Sequence, residues 1–336
     1  MVAERRIRTD TILLTAGLLL VVYLLGDVLL LVFAAVLIAV GLDGLARAAA
    51  RRLPVSRGWA LGGVTLGIVA LLAGVLGLSA TQLVQQLIGV SETVIAFVER
   101  LHGALIELGA LQAVGEIDNE SIAGAAGGMA EEVMIWGMAV FGALAGLAIV
   151  FVLTIFLSAS PALYRAGAVR LVPPAGRIMA EETLSAIAHA LRWWFLGQLV
   201  SMALLGATVG LGRLTLGVEL WLGLAVLTAL LTLVPFIGPL VATVPIVAVG
   251  FSEGVQTGLI VLAGYLVIQA IEGNFVTPMI QKKAVNLAPA LLIAVQVFLS
   301  LVFGIVGLIL AAPLTIVGMV AVEKLWMEHT LQEAAT

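Results

Sequence analysis

A carboxylate and two amides fall close together in an otherwise apolar stretch: Gln269, Glu272 and Asn274, followed by Thr277-Pro278. Gln269 and Glu272 stand three residues apart, so on a helix they share one face. A charge at membrane depth is costly and by default marks a functional site. Glu272 is therefore a candidate to bind a coupling cation or proton, or to hydrogen-bond a hydroxylated solute. The structural alternative is a helix cap at the cytoplasmic rim, or an ion pair with Lys282. Two further pairs precede breaks in the apolar pattern. Thr228 and Thr232 are spaced i, i+4 ahead of Pro235, and Gln296 and Ser300 repeat that spacing ahead of Gly304. Such groups can line a polar path, and they also hold membrane helices together. Gln198 and Ser201 are weaker candidates of the same kind.

Other chemistries lack their residues. No G-x-x-x-x-G-K-[ST] phosphate loop occurs, and the lysines are Lys282, Lys283 and Lys324, which argues against an ATP-driven pump. His102, His189 and His329 are scattered with no H-E-x-x-H, so a zinc protease is excluded. Asp43, in Gly-Leu-Asp-Gly at a membrane boundary, lacks the partner aspartate of an aspartyl protease. The absence of cysteine excludes disulfides, haem thiolates and iron–sulfur ligation. The expectation is no enzyme, no metal and no cofactor.

These candidates need elements to hold them. The chain has 336 residues, 62% hydrophobic and 11% charged, whereas soluble domains carry about 25% charge. So few charges would leave large apolar patches in water. A formal charge of −4 lacks the basic footprint of a nucleic-acid binder. Long Ala-, Leu- and Gly-rich runs predict an all-α polytopic membrane protein, since barrel strands would alternate apolar and polar residues. The bilayer is its first partner.

A span needs about 20 apolar residues. The run 11–42 would be about 48 Å long as one helix, and Gly26-Asp27 predicts a turn joining two short helices, with Asp27 solvated. Arg5, Arg6 and Arg8 before this run and Arg47, Arg51, Arg52 and Arg57 after it place both ends, and the N-terminus, in the cytoplasm. A third span covers 60–80. Segment 81–132 carries Glu92, Glu99, Glu107, Glu116, Asp118, Glu120, Glu131 and Glu132 against Arg100, so it is read as extramembrane. Its apolar residues recur at three- and four-residue steps as in an amphipathic helix, and a second short helix is expected from Asp118 or Asn119. A fourth span, 133–157, returns to a cytoplasmic loop, 158–194, in which residues 181–191 form an interfacial helix ending at the anchor pair Trp193-Trp194. Residues 195–211 make a fifth span, and 213–219 a short outer connection. Run 220–250 is overlong and broken at Pro235, Gly238 and Pro239, with Pro245 beyond; 255–271 is an ordinary span; 288–322 is overlong and broken at Gly304, Gly307 and Pro313. Lipid cannot replace the lost backbone hydrogen bonds, so such breaks must be buried in protein or line a wet cavity. Paired broken segments point to a transporter's binding site. The domains expected are 1–80, 81–132 and 133–336, with about eight spans.

Leu233-Val-Pro235-Phe-Ile-Gly238-Pro239, then Ile271-Glu272-Gly-Asn274-Phe-Val-Thr-Pro278, Leu287-Ala-Pro289, Phe303-Gly304-Ile-Val-Gly307 and Ala312-Pro313 resemble, in order and spacing, the autoinducer-2 exporter family of bacterial permeases. The motif resemblance covers residues 230–320; the N-terminal half is similar in layout. Phe236 stands where many relatives have tyrosine, and Ala288 where histidine is common. The resemblance implies a multi-pass inner-membrane transporter assembled as a homo-oligomer, a pentamer, that exports an autoinducer-2-like signalling molecule or exchanges Na+ or Li+ for H+. The leading expectation is alternating access, with the two broken segments rocking against the other helices near Glu272. The competing expectations are a Na+(Li+)/H+ antiporter and a non-transporting membrane scaffold that holds partners through 81–132.

Overall fold

Runs of apolar residues without strand-like alternation fold here as helices alone: every element among the described residues is helical. The computed structural model describes residues 25–107, 144–212, 220–276 and 288–327. In chain order the helices are α1 (Gly26–Arg52), α2 (Arg57–Glu107), α3 (Leu144–Ala159), α4 (Pro161–Arg170), α5 (Arg177–Gly210), α6 (Trp221–Thr232), α7 (Ile237–Ser252), α8 (Val255–Ile271) and α9 (Pro289–Val322), with a π-helical turn, Glu272–Val276, continuing α8. The expected helix at Asp118 or Asn119, the connection 213–219, the arginines before residue 9, Thr277-Pro278 and Lys282-Lys283 lie outside the described residues.

The chain divides into two compact units. One comprises Met1–Asp43, Gly146–Leu191 and Leu287–Thr336; the other comprises Gly44–Ala145 and Arg192–Asn286. In the first, the buried Thr154 hydroxyl of α3 donates to the Ala35 carbonyl of α1 at 3.3 Å. At the start of α1, Gly26 lies under the Phe303 ring of α9, so close that any side chain would meet it. In the second unit the core joins Val90 and Val94 of α2, Leu205 of α5, Leu224 of α6, Ala242, Ile246 and Val249 of α7, and Tyr265 of α8. Small residues let these backbones approach. A Cβ on Gly206 of α5 would lie 3.0 Å from that of Ala229 on α6, and one on Gly250 of α7 would lie 2.9 Å from that of Val261 on α8.

Among the described residues four helical stretches are long and apolar enough to cross a membrane: Gly26–Arg52, Pro174–Gly210, Val255–Phe275 and Pro289–Trp326. The α3–α4 pair, bent by 88°, makes a fifth if counted as one broken span. Several boundaries differ from the sequence expectation. Helix α1 begins at the expected Gly26 turn, with Asp27 exposed, but runs past residue 42 to Arg52, which puts Asp43 inside a helix and buried. Helix α2 continues without interruption from Arg57 to Glu107, so no break divides the third span from the amphipathic stretch. Helix α5 is likewise continuous, merging the expected interfacial helix with the fifth span. Trp194 is buried against protein, which removes it as a headgroup anchor. Nothing between Arg177 and Gly210 breaks a helix: a change in polarity alters a helix's surroundings but not its hydrogen-bond ladder.

Candidate functional site

In the second unit the expected break between α6 and α7 is present. Helix α6 ends at Thr232, and its last carbonyls are closed by the amides of Leu233 on Leu230 (3.1 Å) and Val234 on Leu231 (3.0 Å). The chain then turns on Phe236, whose φ of 64° and ψ of −57° define a γ-turn of the positive-φ kind, closed by the Ile237 amide donating to the Pro235 carbonyl at 2.8 Å. That turn is rare and strained. A non-glycine residue so placed costs about 1–3 kcal/mol and persists only where its surroundings over-determine it. Here two prolines flank it, and Gly238 lies against the Leu231 carbonyl where a Cβ has no room. In one straight helix residues 231 and 238 would stand about 10 Å apart. The chain therefore doubles back, and α6–α7 is a helical hairpin.

Polar groups from two further helices meet this hairpin. Along α8, Tyr265, Gln269 and Glu272 follow at i, i+4, i+7 and share a face. The Tyr265 hydroxyl donates to the Pro239 carbonyl at 2.8 Å and accepts from Gln269 Nε2 at 3.0 Å. Pro239 O also accepts from the Thr243 hydroxyl at 3.0 Å. From α5, Gln198 Nε2 donates to the Thr232 carbonyl, one of the acceptors that a helix C-terminus leaves open. One turn on, the buried Ser201 hydroxyl donates to Glu272 Oε1 at 2.9 Å. The Thr232 hydroxyl returns to the Thr228 carbonyl at 2.6 Å. The Thr228 hydroxyl is buried and has no hydrogen-bond partner among the described residues. The cluster is rich in oxygen: a carboxylate, five hydroxyl groups and freed carbonyls. No group of three or more His, Cys, Asp or Glu residues fit to hold a metal ion occurs among the described residues.

The first unit repeats the device. Gln296 is fully buried on α9, and one turn later the Ser300 hydroxyl donates to the Val297 carbonyl at 2.8 Å. Gly304 then takes φ 59° and ψ −143°, outside any helix and open to glycine alone. A Cβ on Gly307 would stand 2.8 Å from the Leu299 carbonyl carbon, although eight residues of straight helix would separate the two by about 12 Å. By length Pro289–Trp326 counts as one 38-residue span, but this approach divides it into two arms folded together at Gly304. Pro313 is different from expectation. It lies buried inside a helix that continues through it, so it is no break.

Asn274, expected on the pathway, is exposed, and its side-chain amide is spent on the Ala270 carbonyl at 2.7 Å. Gln198 and Ser201, ranked low from sequence, are the residues that touch Thr232 and Glu272. Tyr265 was missed. Its one signal is a phenol in an apolar span, one turn before Gln269. Gln86 of α2 was missed too; its side-chain oxygen accepts the Gly223 amide at 2.8 Å and holds the start of α6.

A sequence profile of the AI-2E family transporters matches residues 12–327. The chain belongs to the AI-2E transporter family. The hairpin break and the Glu272 region are thus features of an AI-2E family chain. Among its relatives, the AI-2 transport protein TqsA of Escherichia coli (strain K12) is 38% identical over 100 residues, 28% of each chain. The YueF protein of Bacillus subtilis (strain 168) is 27% identical over 146 residues, 44% of this chain and 40% of its own. The YhhT protein of E. coli K12 is 35% identical over 131 residues, 37% of this chain and 35% of its own. The chain spans less than half the length of the curated relatives it matches.

Proposed function

We propose that this AI-2E chain is a secondary transporter that exports a small polar solute by alternating access. The observation that carries the reading is the polar cluster gathered at a strained helix break, where Ser201 holds Glu272 and Tyr265 holds Pro239. Amide, hydroxyl and carboxylate groups are what a polyhydroxylated, furanosyl-type solute needs for hydrogen bonding. The similarity to TqsA, an AI-2 transport protein, favours an autoinducer-2-like substrate. With no nucleotide loop in the chain, the energy comes from an ion gradient or from the solute's own gradient. In this reading the chain is a transporter and not an enzyme. It makes about eight spans in the inner (plasma) membrane, has a cytoplasmic N-terminus and works as a homo-oligomer.

The second reading is Na+(Li+)/H+ exchange, favoured by Glu272 itself, a carboxylate held by the Ser201 hydroxyl beside the hairpin. One experiment separates the two. Glu272→Gln and the parent are compared in proteoliposomes for solute flux at several pH values and for sodium-dependent quenching of a pH dye. Solute export predicts at least a tenfold loss of solute flux in the variant and no sodium-driven dye signal in the parent. Exchange predicts a parent dye signal that the variant lacks. Unchanged flux with unchanged pH dependence removes Glu272 from the mechanism.

A further inference from the structure

Helix α3 is apolar and shows Ile149, Val152 and Phe156 at its surface, the side chains of a helix that faces lipid. One residue after it ends the chain turns through 88° into α4. If α3 crosses the bilayer, a helix at that angle runs along the membrane plane at the depth where α3 leaves it. Helix α4 has no buried residue. Leu163, Gly167 and Leu171 follow at four-residue steps with Tyr164 beside them, so they form one face. Leu163 is 68% exposed and Leu171 88%, and Ile178 just beyond is 76% exposed. Between Ser160 and Ala180 the chain has Arg165, Arg170 and Arg177 and no acidic residue. Arg165 reaches back to Glu181, at 3.1 Å to its carbonyl and 3.4 Å to its carboxylate, while Arg170 stays exposed at the end of α4.

We infer that α4 is an in-plane helix seated in the headgroup layer of the leaflet where α3 emerges, with Leu163 and Leu171 in the acyl boundary and Arg170 on the phosphates of anionic lipids. Its occupant is the membrane surface, chosen on the charge of this segment and on its angle to α3. Apolar insertion supplies the attachment and Arg170 supplies the preference for negative lipid. That the leaflet is the cytoplasmic one rests on the orientation proposed above.

The natural chain has no cysteine, so single labels report cleanly. Leu163→Cys, Leu171→Cys and, on the opposite face of α4, Ala162→Cys carry a fluorophore in the full chain in nanodiscs of phosphatidylcholine with or without phosphatidylglycerol. All three positions are exposed, so the changes leave packing intact. Bromolipids are expected to quench the labels at 163 and 171 about threefold more than the label at 162, and neutral acrylamide to show the reverse order. The bromolipid quenching should deepen with phosphatidylglycerol, and Arg170→Gln should remove that gain. Equal acrylamide quenching at all three positions overturns the inference, as does bromolipid quenching indifferent to lipid charge. An impermeant maleimide on Ala162→Cys in sealed vesicles separately tests the orientation: reaction from the outer side would refute the sidedness and leave the seating of α4 untouched.

Discussion

At the residue scale the site depends on groups whose value comes from where the backbone puts them. Tyr265 satisfies Pro239 O and receives Gln269, so Tyr265→Phe leaves an amide without its acceptor and weakens the hold on the hairpin. The expected cost is about 1–2 kcal/mol, read as a lower unfolding midpoint, together with a fall in solute flux. An unchanged midpoint would show that the hydroxyl does not hold the turn. Phe236 makes the opposite prediction. Glycine adopts positive φ without steric cost, so Phe236→Gly is expected to be neutral or stabilising, whereas Leu240→Gly inside α7 should cost about 1 kcal/mol. Equal losses in the two variants would mean that the γ-turn stores no strain. Sequence reading singled out Glu272, Thr228 and Thr232 because a polar residue in an apolar run is visible by contrast. It ranked Ser201 and Gln198 low because their importance lies in facing Glu272 and Thr232 across the fold, a relation that spacing along one helix does not encode. Asn274 showed the converse: a polar side chain near the right place whose hydrogen bond is local.

At the element scale, breaks were legible and continuations were not. Pro235 and Gly304 act through local backbone chemistry, and the structure has a break at each, with Gly238 in the first turn of α7 just past the first break. Pro313 is the exception. Proline removes one intrahelical hydrogen bond, and neighbouring groups in membrane helices can absorb that loss, so the helix passes through it. The boundary expected near Trp193-Trp194 came from a change in polarity, which has no power to end a helix, and α5 continues to Gly210. That continuity is testable. Phe195→Pro falls in the middle of α5 and is expected to destabilise by about 3 kcal/mol, measured by chemical denaturation in detergent. A cost below about 1 kcal/mol would favour two separate helices meeting there.

At the scale of the whole molecule, the class of fold followed from composition, because so apolar a chain has no soluble solution. The division into two units did not, since each is built from distant stretches of chain and the divide falls within continuous helices α1 and α5. Each unit has a folded-back helix with a polar pair one turn apart ahead of its turn, Thr228 with Thr232 and Gln296 with Ser300. Transport by alternating access requires such a turn to meet water from one side and then the other. The most direct measurement places the single cysteine Phe236→Cys at the exposed tip of the α6–α7 turn, in sealed vesicles, and follows its reaction with an impermeant thiol reagent added inside or outside. The account predicts reaction from both sides, slowed from at least one by the transported solute. Reaction from one side alone, at a rate that no solute or ion gradient changes, would contradict it.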